Sequence, residues 1–582
     1  MEIDDIIRSV GDFGRGHMFI FVCICLITQF TASWHIFAIT LIGASPSHHC
    51  TVHTAFEIDE YIPVDVDNEG EAIYSSCTQY TQPGGPSNAT SVCQNGWTYS
   101  ETPYGTTIVT EWDLVCDRGH LSAFSQSVMM FGVIVGAFIF GYISDRVGRK
   151  RVLTVALLCQ GCLGVLEAFS PTYIFFVIVR FFMGIFDQGY QLPGYTMTSE
   201  MFTPKRRPYA FTMLLNFWAA GILTFPILAF FIQDWRTLQI VISVPFFLFH
   251  LIAWFIPESP RWLISVGRYK EATNVFAKIA RLNGRKIDPM TMKPQQFVDN
   301  GIDNKAFDNC DENVTNVGSG RTINTISQDT NDEEKAQENP KSIAGNNTFI
   351  YLFRTRRMTQ VTIVMMVLWF VSSLAYYGVS LNSVELAGDP YLNLFLCGAV
   401  EIPSHWLSAF LSIWFGRRRP ICVLLVLGGI ACVTTGFIPE RSANGLDLTP
   451  FIVTTAMAAK FFVSSAYALV SMCATEVFPT VVRSKGIGIV SVSGRIGALI
   501  APLVLLLGEV HSNLPIIFFG CIGIVPSFLV FLLPEMRGRK QPQTAEDLDF
   551  MYEEDKMKKK IERKPDIRNK SPIVDRSVTP DV

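Results

Sequence analysis

Apolar residues in this chain come in runs too long for a soluble core. A helix crossing the hydrocarbon layer of a bilayer needs about 20 of them in succession. The run 18–42 is broken only by His35, and the runs 121–143, 209–233, 420–439 and 513–534 carry no charged residue. Composition agrees, with 17% charged residues, against about 25% in soluble proteins. The first run is too long for a cleavable signal peptide. It also follows acidic residues (Glu2, Asp4, Asp5, Asp12) where such a peptide has a basic segment.

Twelve helices are expected, at 18–42, 121–143, 152–170, 172–195, 209–232, 238–256, 361–381, 391–414, 420–438, 450–475, 486–507 and 515–533. A barrel is excluded, because its strands are short and alternate in polarity. The net charge of -4 sums over unlike compartments and identifies no partner.

Basic residues in short loops set orientation. They follow the second run (Arg146, Arg149, Lys150, Arg151), the fourth (Lys205, Arg206, Arg207), the eighth (Arg417, Arg418, Arg419) and the tenth (Arg483, Lys485). All lie on one side if both termini are cytoplasmic. The divisions are then a cytoplasmic N-terminus at 1–17, a six-helix half at 18–256 with an extracellular loop at 43–120, and a cytoplasmic central loop at 257–360. That loop starts as an amphipathic helix and is expected to be disordered after about 297. A second half follows at 361–536, and then a disordered cytoplasmic tail at 537–582. The outer loop holds Cys50, Cys77, Cys93 and Cys116, an even set that predicts disulfides and leaves three pairings open. It also holds the glycosylation acceptor Asn88-Ala89-Thr90.

The halves repeat each other. Gly141 to Lys150 reads GYISDRVGRK, and 414–419 reads WFGRRR. Arg180-Phe181-Phe182 with a later Glu200 is echoed by Lys460-Phe461-Phe462 with a later Glu476. Pro257-Glu258 is echoed by Pro534-Glu535.

The stretch 141–150 fits G-x-x-x-D-R-x-G-R-[RK]. In this it resembles the signature between helices two and three of major facilitator transporters. The resemblance implies the all-α major facilitator fold, with twelve transmembrane helices in two six-helix pseudo-repeat halves and a substrate site between them. Gly141 and Gly148 allow close helix approach. Asp145 is expected to face a helix N-terminus in the other half, with Arg146 and Arg149 pairing acids such as Glu200. Arg180, Glu476 and Arg483 are grouped with this gate. The second copy lacks the acid, so an asymmetric latch is expected.

Further segments resemble one family in particular: Glu111-Trp112-Asp113, Asp234-Trp235-Arg236, PESPRWL at 257–263, Trp369-Phe370, Tyr376-Tyr377-Gly378 and Glu401-Ile402-Pro403. Together they are similar to the organic cation, anion and zwitterion (carnitine) transporters, solute carrier family twenty-two. The resemblance implies a plasma-membrane transporter of small organic ions.

Charges inside spans default to function. In the resembling family, cation transporters carry an Asp where this chain has Arg495, and anion and carnitine transporters carry an Arg. A guanidinium presents a two-pronged fork to a carboxylate. Lys460 points the same way. His405 departs from the anion branch, which has a Lys there. Glu401 supplies an acid, and Trp218, Trp369, Phe370, Tyr376 and Tyr377 supply aromatic faces that attract quaternary ammonium groups. The set favours a carboxylate-bearing zwitterion or anion, carnitine-like in chemistry.

An organic cation transporter and a non-transporting sensor on the same fold stay open as alternatives. Sodium or protons are candidate co-substrates. No catalytic set, cofactor motif, metal spacing or nucleic-acid signature is found, so no enzyme is expected. Cys159 and Cys162 have redox-like spacing, but they fall inside a membrane helix and read as packing.

Overall fold

The computed structural model describes residues 3–52, 58–66, 72–81, 89–203, 206–285, 351–442, 444–479, 482–537, 539 and 542–562. Asn88, Lys205 and the central segment 286–350 lie outside the described residues. Among the described residues, twelve helices are long and apolar enough to span a bilayer. We number them α1 Arg15–Ile42, α2 Cys116–Val147, α3 Arg149–Ala168, α4 Tyr173–Met201, α5 Tyr209–Phe231, α6 Trp235–Ala253, α7 Arg356–Val384, α8 Pro390–Phe415, α9 Arg418–Phe437, α10 Thr449–Val477, α11 Lys485–Glu509 and α12 Leu514–Leu532.

Their starts follow helix-capping chemistry, in which a side-chain oxygen accepts from an otherwise orphaned amide. Thr172, Asp234, Thr355 and Asp389 each do this for the turn that follows. Within the first half α2 packs on α4 and α3 on α6. Close approach of α2 to α4 depends on glycine: a Cβ on Gly184 would stand 2.1 Å from the Met129 carbonyl oxygen. In the second half α7 packs on α11 and α9 on both α10 and α12. The halves meet along α5–α8 and α2–α11.

At one end, which we call the disulfide end, the loop after α1 forms three two-stranded antiparallel ribbons. They pair β1 His48–Cys50 with β6 Trp97–Tyr99, β2 Val64–Val66 with β3 Ala72–Tyr74, and β4 Thr78–Tyr80 with β5 Thr90–Val92. Of the three pairings open in sequence, the fold selects Cys50–Cys93 and Cys77–Cys116. The loop is fastened to the first half: Trp235 and Arg236 both donate to Glu111, and Thr106 donates to Asp234 at 2.7 Å. Between the loop and the ends of α1, α2, α7 and α11 lies a cavity of about 810 Å³.

At the opposite, basic end, the helix Ile3–Val10 and the helices Pro260–Ser265 and Tyr269–Leu282 pack together. The Asn283 side chain accepts from Gly16 N at 2.9 Å and so caps α1 from 267 residues away.

The tail corrects an expectation. Within 537–582, expected to be disordered, Ala545–Glu562 is helical. Leu548, Met551 and Tyr552 fall at i, i+3 and i+4 and are buried. Arg357 lies over the Tyr552 ring at 4.7 Å, and the Tyr552 hydroxyl donates to Leu532 O. Charge dominates this segment's composition and hides a short apolar stripe.

Candidate functional site

Each half carries the same clamp at the basic end. Gly148 follows α2 with φ +114°, and Gly416 follows α8 with φ +83°. Both backbones take the left-handed region that glycine tolerates. Glu258 then accepts from Lys150 N at 3.1 Å, and Glu535 from Arg417 N at 3.2 Å. Arg149 pairs with Glu200 at 3.2 Å, and Arg417 with Glu476 at 2.7 Å. Arg483 donates to Phe478 O as Arg207 donates to Phe202 O.

The clamps share this core, and the asymmetry expected from sequence stays with Asp145, which has no acidic counterpart in the second copy. Its side chain is 75% exposed and reaches Arg149, four residues on. Among the described residues it does not meet a helix N-terminus of the other half. Arg146 lies over the Tyr142 ring at 4.5 Å, and Glu200 is held by Arg149 instead.

A Cβ on Gly148 would stand 2.6 Å from Glu258 Oε2. Gly148→Ala is therefore expected to cost about 1–3 kcal/mol, the usual penalty of a forced backbone. A thermal melt in detergent checks this, and an unchanged melting temperature would show that the clamp is soft.

Arg180 does not join the clamp. It is buried inside the first half, pairing with Glu167 at 3.2 Å and donating to Gln126 at 3.0 Å. Gln239 donates to the second Glu167 oxygen at 2.7 Å. Both Glu167 oxygens and both terminal nitrogens of Arg180 are thereby engaged, most of what a charge pair held out of water requires.

Lys460 occupies the equivalent place on α10 with different surroundings. It pairs with Glu401 of α8 at 2.5 Å, and both side chains are 0% exposed. It donates to Ser380 Oγ at 2.5 Å and stands 3.6 Å above the Tyr376 ring. Trp218 of the first half donates to the Tyr376 hydroxyl at 2.8 Å. Tyr376 stacks on Tyr467, and Tyr377 stacks on Phe37 of α1. Hence Trp218, Tyr376, Tyr377, Glu401 and Lys460 meet where the halves join. His405 sits one turn beyond Glu401, buried, with Nδ1 unpartnered.

Trp369 and Phe370 are not brought to this group among the described contacts. They pack on α11, Trp369 beside Gly494 and Phe370 beside Gly497.

Arg495 lies on α11 between the halves. It donates to Ser491 Oγ at 2.8 Å and to Gln188 Oε1 of α4 at 2.7 Å. Among the described residues no carboxylate lies within 4.0 Å of it. Asp187, next to Gln188, accepts from Gln188, Tyr190 and Gln191 instead. Sequence reasoning missed Gln188 and Ser380. Gln188 had a signal, as an amide beside an intramembrane acid. Ser380 had none, since its neighbours are ordinary α7 residues.

One His/Cys grouping exists among the described residues, formed by His48, Cys77 and Cys116. Both sulfurs are consumed by the Cys77–Cys116 disulfide, so it is not a metal centre.

Two six-helix halves with matched clamps and a polar junction define a major facilitator protein. The Major Facilitator Superfamily pattern matches residues 119–439 and 361–576. The fold aligns with the inward open xylose transporter XylE of E. coli at a TM-score of 0.54, over 92% of this chain and 98% of that one, at 15% identity. Within the superfamily the chain belongs to the organic cation and anion transporters of solute carrier family 22. It is 32% identical to an organic cation transporter protein of Drosophila melanogaster, over 94% of each chain. It is 30% identical to human solute carrier family 22 member 13, over 94% of this chain and 93% of that one. It is 29% identical to organic cation/carnitine transporter 2 of Rattus norvegicus, over 94% of each. Its relatives are membrane transporters of small organic ions, not enzymes.

Proposed function

We propose that the chain carries carboxylate-bearing organic ions, zwitterions foremost, across the plasma membrane by alternating access. Both termini and the clamped end are placed in the cytoplasm, with the disulfide loop outside. The observation that carries the substrate class is Arg495. Its guanidinium meets only neutral partners within hydrogen-bonding distance, Ser491 and Gln188. A cation held between the halves with no acid in direct contact, Asp187 acting on it only at longer range, is a receptor for a ligand anion. Glu401 and the Tyr376 face suit an ammonium group at the other end of the same ligand.

A trio of labelled probes tests this: γ-butyrobetaine, butyltrimethylammonium, which lacks the carboxylate, and the same acid with a tert-butyl group replacing trimethylammonium. Uptake by cells expressing the chain is expected for the zwitterion and lost in Arg495→Asp. Preferred uptake of the carboxylate-free cation, unaltered by Arg495→Asp, would replace this reading with an organic cation transporter. Nothing in the site favours a non-transporting sensor.

A further inference from the structure

We infer that the Lys460 ammonium is a tethered occupant of an ammonium-binding site made by Glu401, Ser380 and the Tyr376 face. A ligand ammonium takes that site as Lys460 gives up its proton, so cation entry is exchanged against a proton. The inference rests on the reading of the junction as the substrate site.

The geometry is that of a cation receptor already filled. A carboxylate at 2.5 Å, a hydroxyl at 2.5 Å and an aromatic face at 3.6 Å surround one nitrogen. The carboxylate and the aromatic face recognise any ligand ammonium, a quaternary one included, and the hydroxyl serves one that carries an N–H.

The matched position in the first half shows what a purely structural pair looks like. There the cation is Arg180, which cannot be deprotonated in proteins. Its carboxylate partner has both oxygens bonded. At Lys460 the cation is an ammonium, whose charge is removable where a guanidinium's is not, and beyond the ion pair the group facing Glu401 is the Tyr376 hydroxyl.

Other groups facing the site do not change the count. From α8 these are His405 and Cys397, from α7 Tyr377, from α11 Arg495 beyond Tyr377 and Tyr467, and from α4 Asp187 beyond Tyr377, whose oxygens are taken by Gln188, Tyr190 and Gln191. One carboxylate therefore serves one cation at a time. Two ammonium groups about 4 Å apart disfavour joint occupancy on the order of a thousandfold at an effective dielectric of 20.

The step balances. One N–H bond of the Lys460 ammonium breaks, its electron pair stays on nitrogen, and the proton passes to solvent water admitted when the halves part. The ligand cation replaces the lost charge beside Glu401. Access is controlled by Tyr376, which covers the pair while Trp218 of the opposite half holds its hydroxyl. Parting of the halves breaks that bond and uncovers the site.

The test uses the full chain in proteoliposomes containing a pH-reporting dye, with the membrane potential clamped. The probe is γ-butyrobetaine. Inward probe flux is expected to make the lumen more alkaline, and an acidic lumen is expected to speed uptake several-fold. Lys460→Met is expected to take up probe with no dye signal and no response to the gradient. Lys460→Arg keeps its proton, so uptake is expected to fall to background. Wild-type uptake without proton movement would overturn the inference, as would full coupling in Lys460→Met. If neither variant folds, the wild-type dye signal decides alone, backed by proton release when probe binds in weak buffer. Absence of any probe uptake by wild type would instead count against the proposed function.

Discussion

Arg180→Gln is expected to destabilise the protein by about 3–5 kcal/mol, the cost of leaving a buried ion without its partner. Glu167 is 1% exposed and would keep its charge or take up a proton at comparable expense. Gln126 and Gln239 are neutral and replace little of the lost attraction. Glu167→Gln with Arg180→Gln removes both charges together and is expected to recover most of the loss. Buried pairs are often neutral to replace as a unit. Thermal unfolding followed by size-exclusion fluorescence in detergent measures both. Equal destabilisation in the single and double variants would mean that Arg180 acts through shape and not charge.

The contrast between Arg180 and Lys460 also marks how far the sequence could be read. Runs of apolar residues imposed twelve helices, since a bilayer leaves no other way to satisfy a spanning backbone. The repeat was legible because both copies keep the same charged residues near helix ends. Which ion meets which was not legible. Arg495 finds Gln188 at 307 residues' separation, across the junction of the halves. Asp145 was expected to bridge the halves and instead pairs with Arg149 at the start of α3, within its own half. A motif states which charges are present, whereas their partners depend on how the halves are tilted. The cysteine pairing was hidden for a similar reason. It depends on how three short ribbons fold over one another, and hydrophobic patterning carries no such information.

That tilt leads to the second large effect. Joining α2 to α11 through cysteines at Ser127 and Leu499 is expected to stop transport when oxidised and restore it on reduction. Ser127 donates to Leu499 O at 3.0 Å, so the helices touch at the disulfide end. Ser127 and Asp145 stand about five turns apart and therefore share one face of α2. Along that face exposure climbs from 6% at Ser127 through 63% at Phe138 to 75% at the Asp145 side chain. Cover of this face is lost toward the basic end, an exposure that fits α2 leaning away from α11 there. Alternating access reverses this lean by rocking one half against the other about the fixed site. A bond at Ser127–Leu499 holds the present lean and forbids its reversal. Uptake in proteoliposomes before and after reductant reads the effect. A cysteine at Asp145 alone reports the lean directly, through its labelling rate by a membrane-impermeant thiol reagent. That label is expected to stay fast in the cross-linked protein and to slow when substrate drives the uncrosslinked protein through its cycle. Transport that survives complete cross-linking would mean that the halves do not rock about this contact.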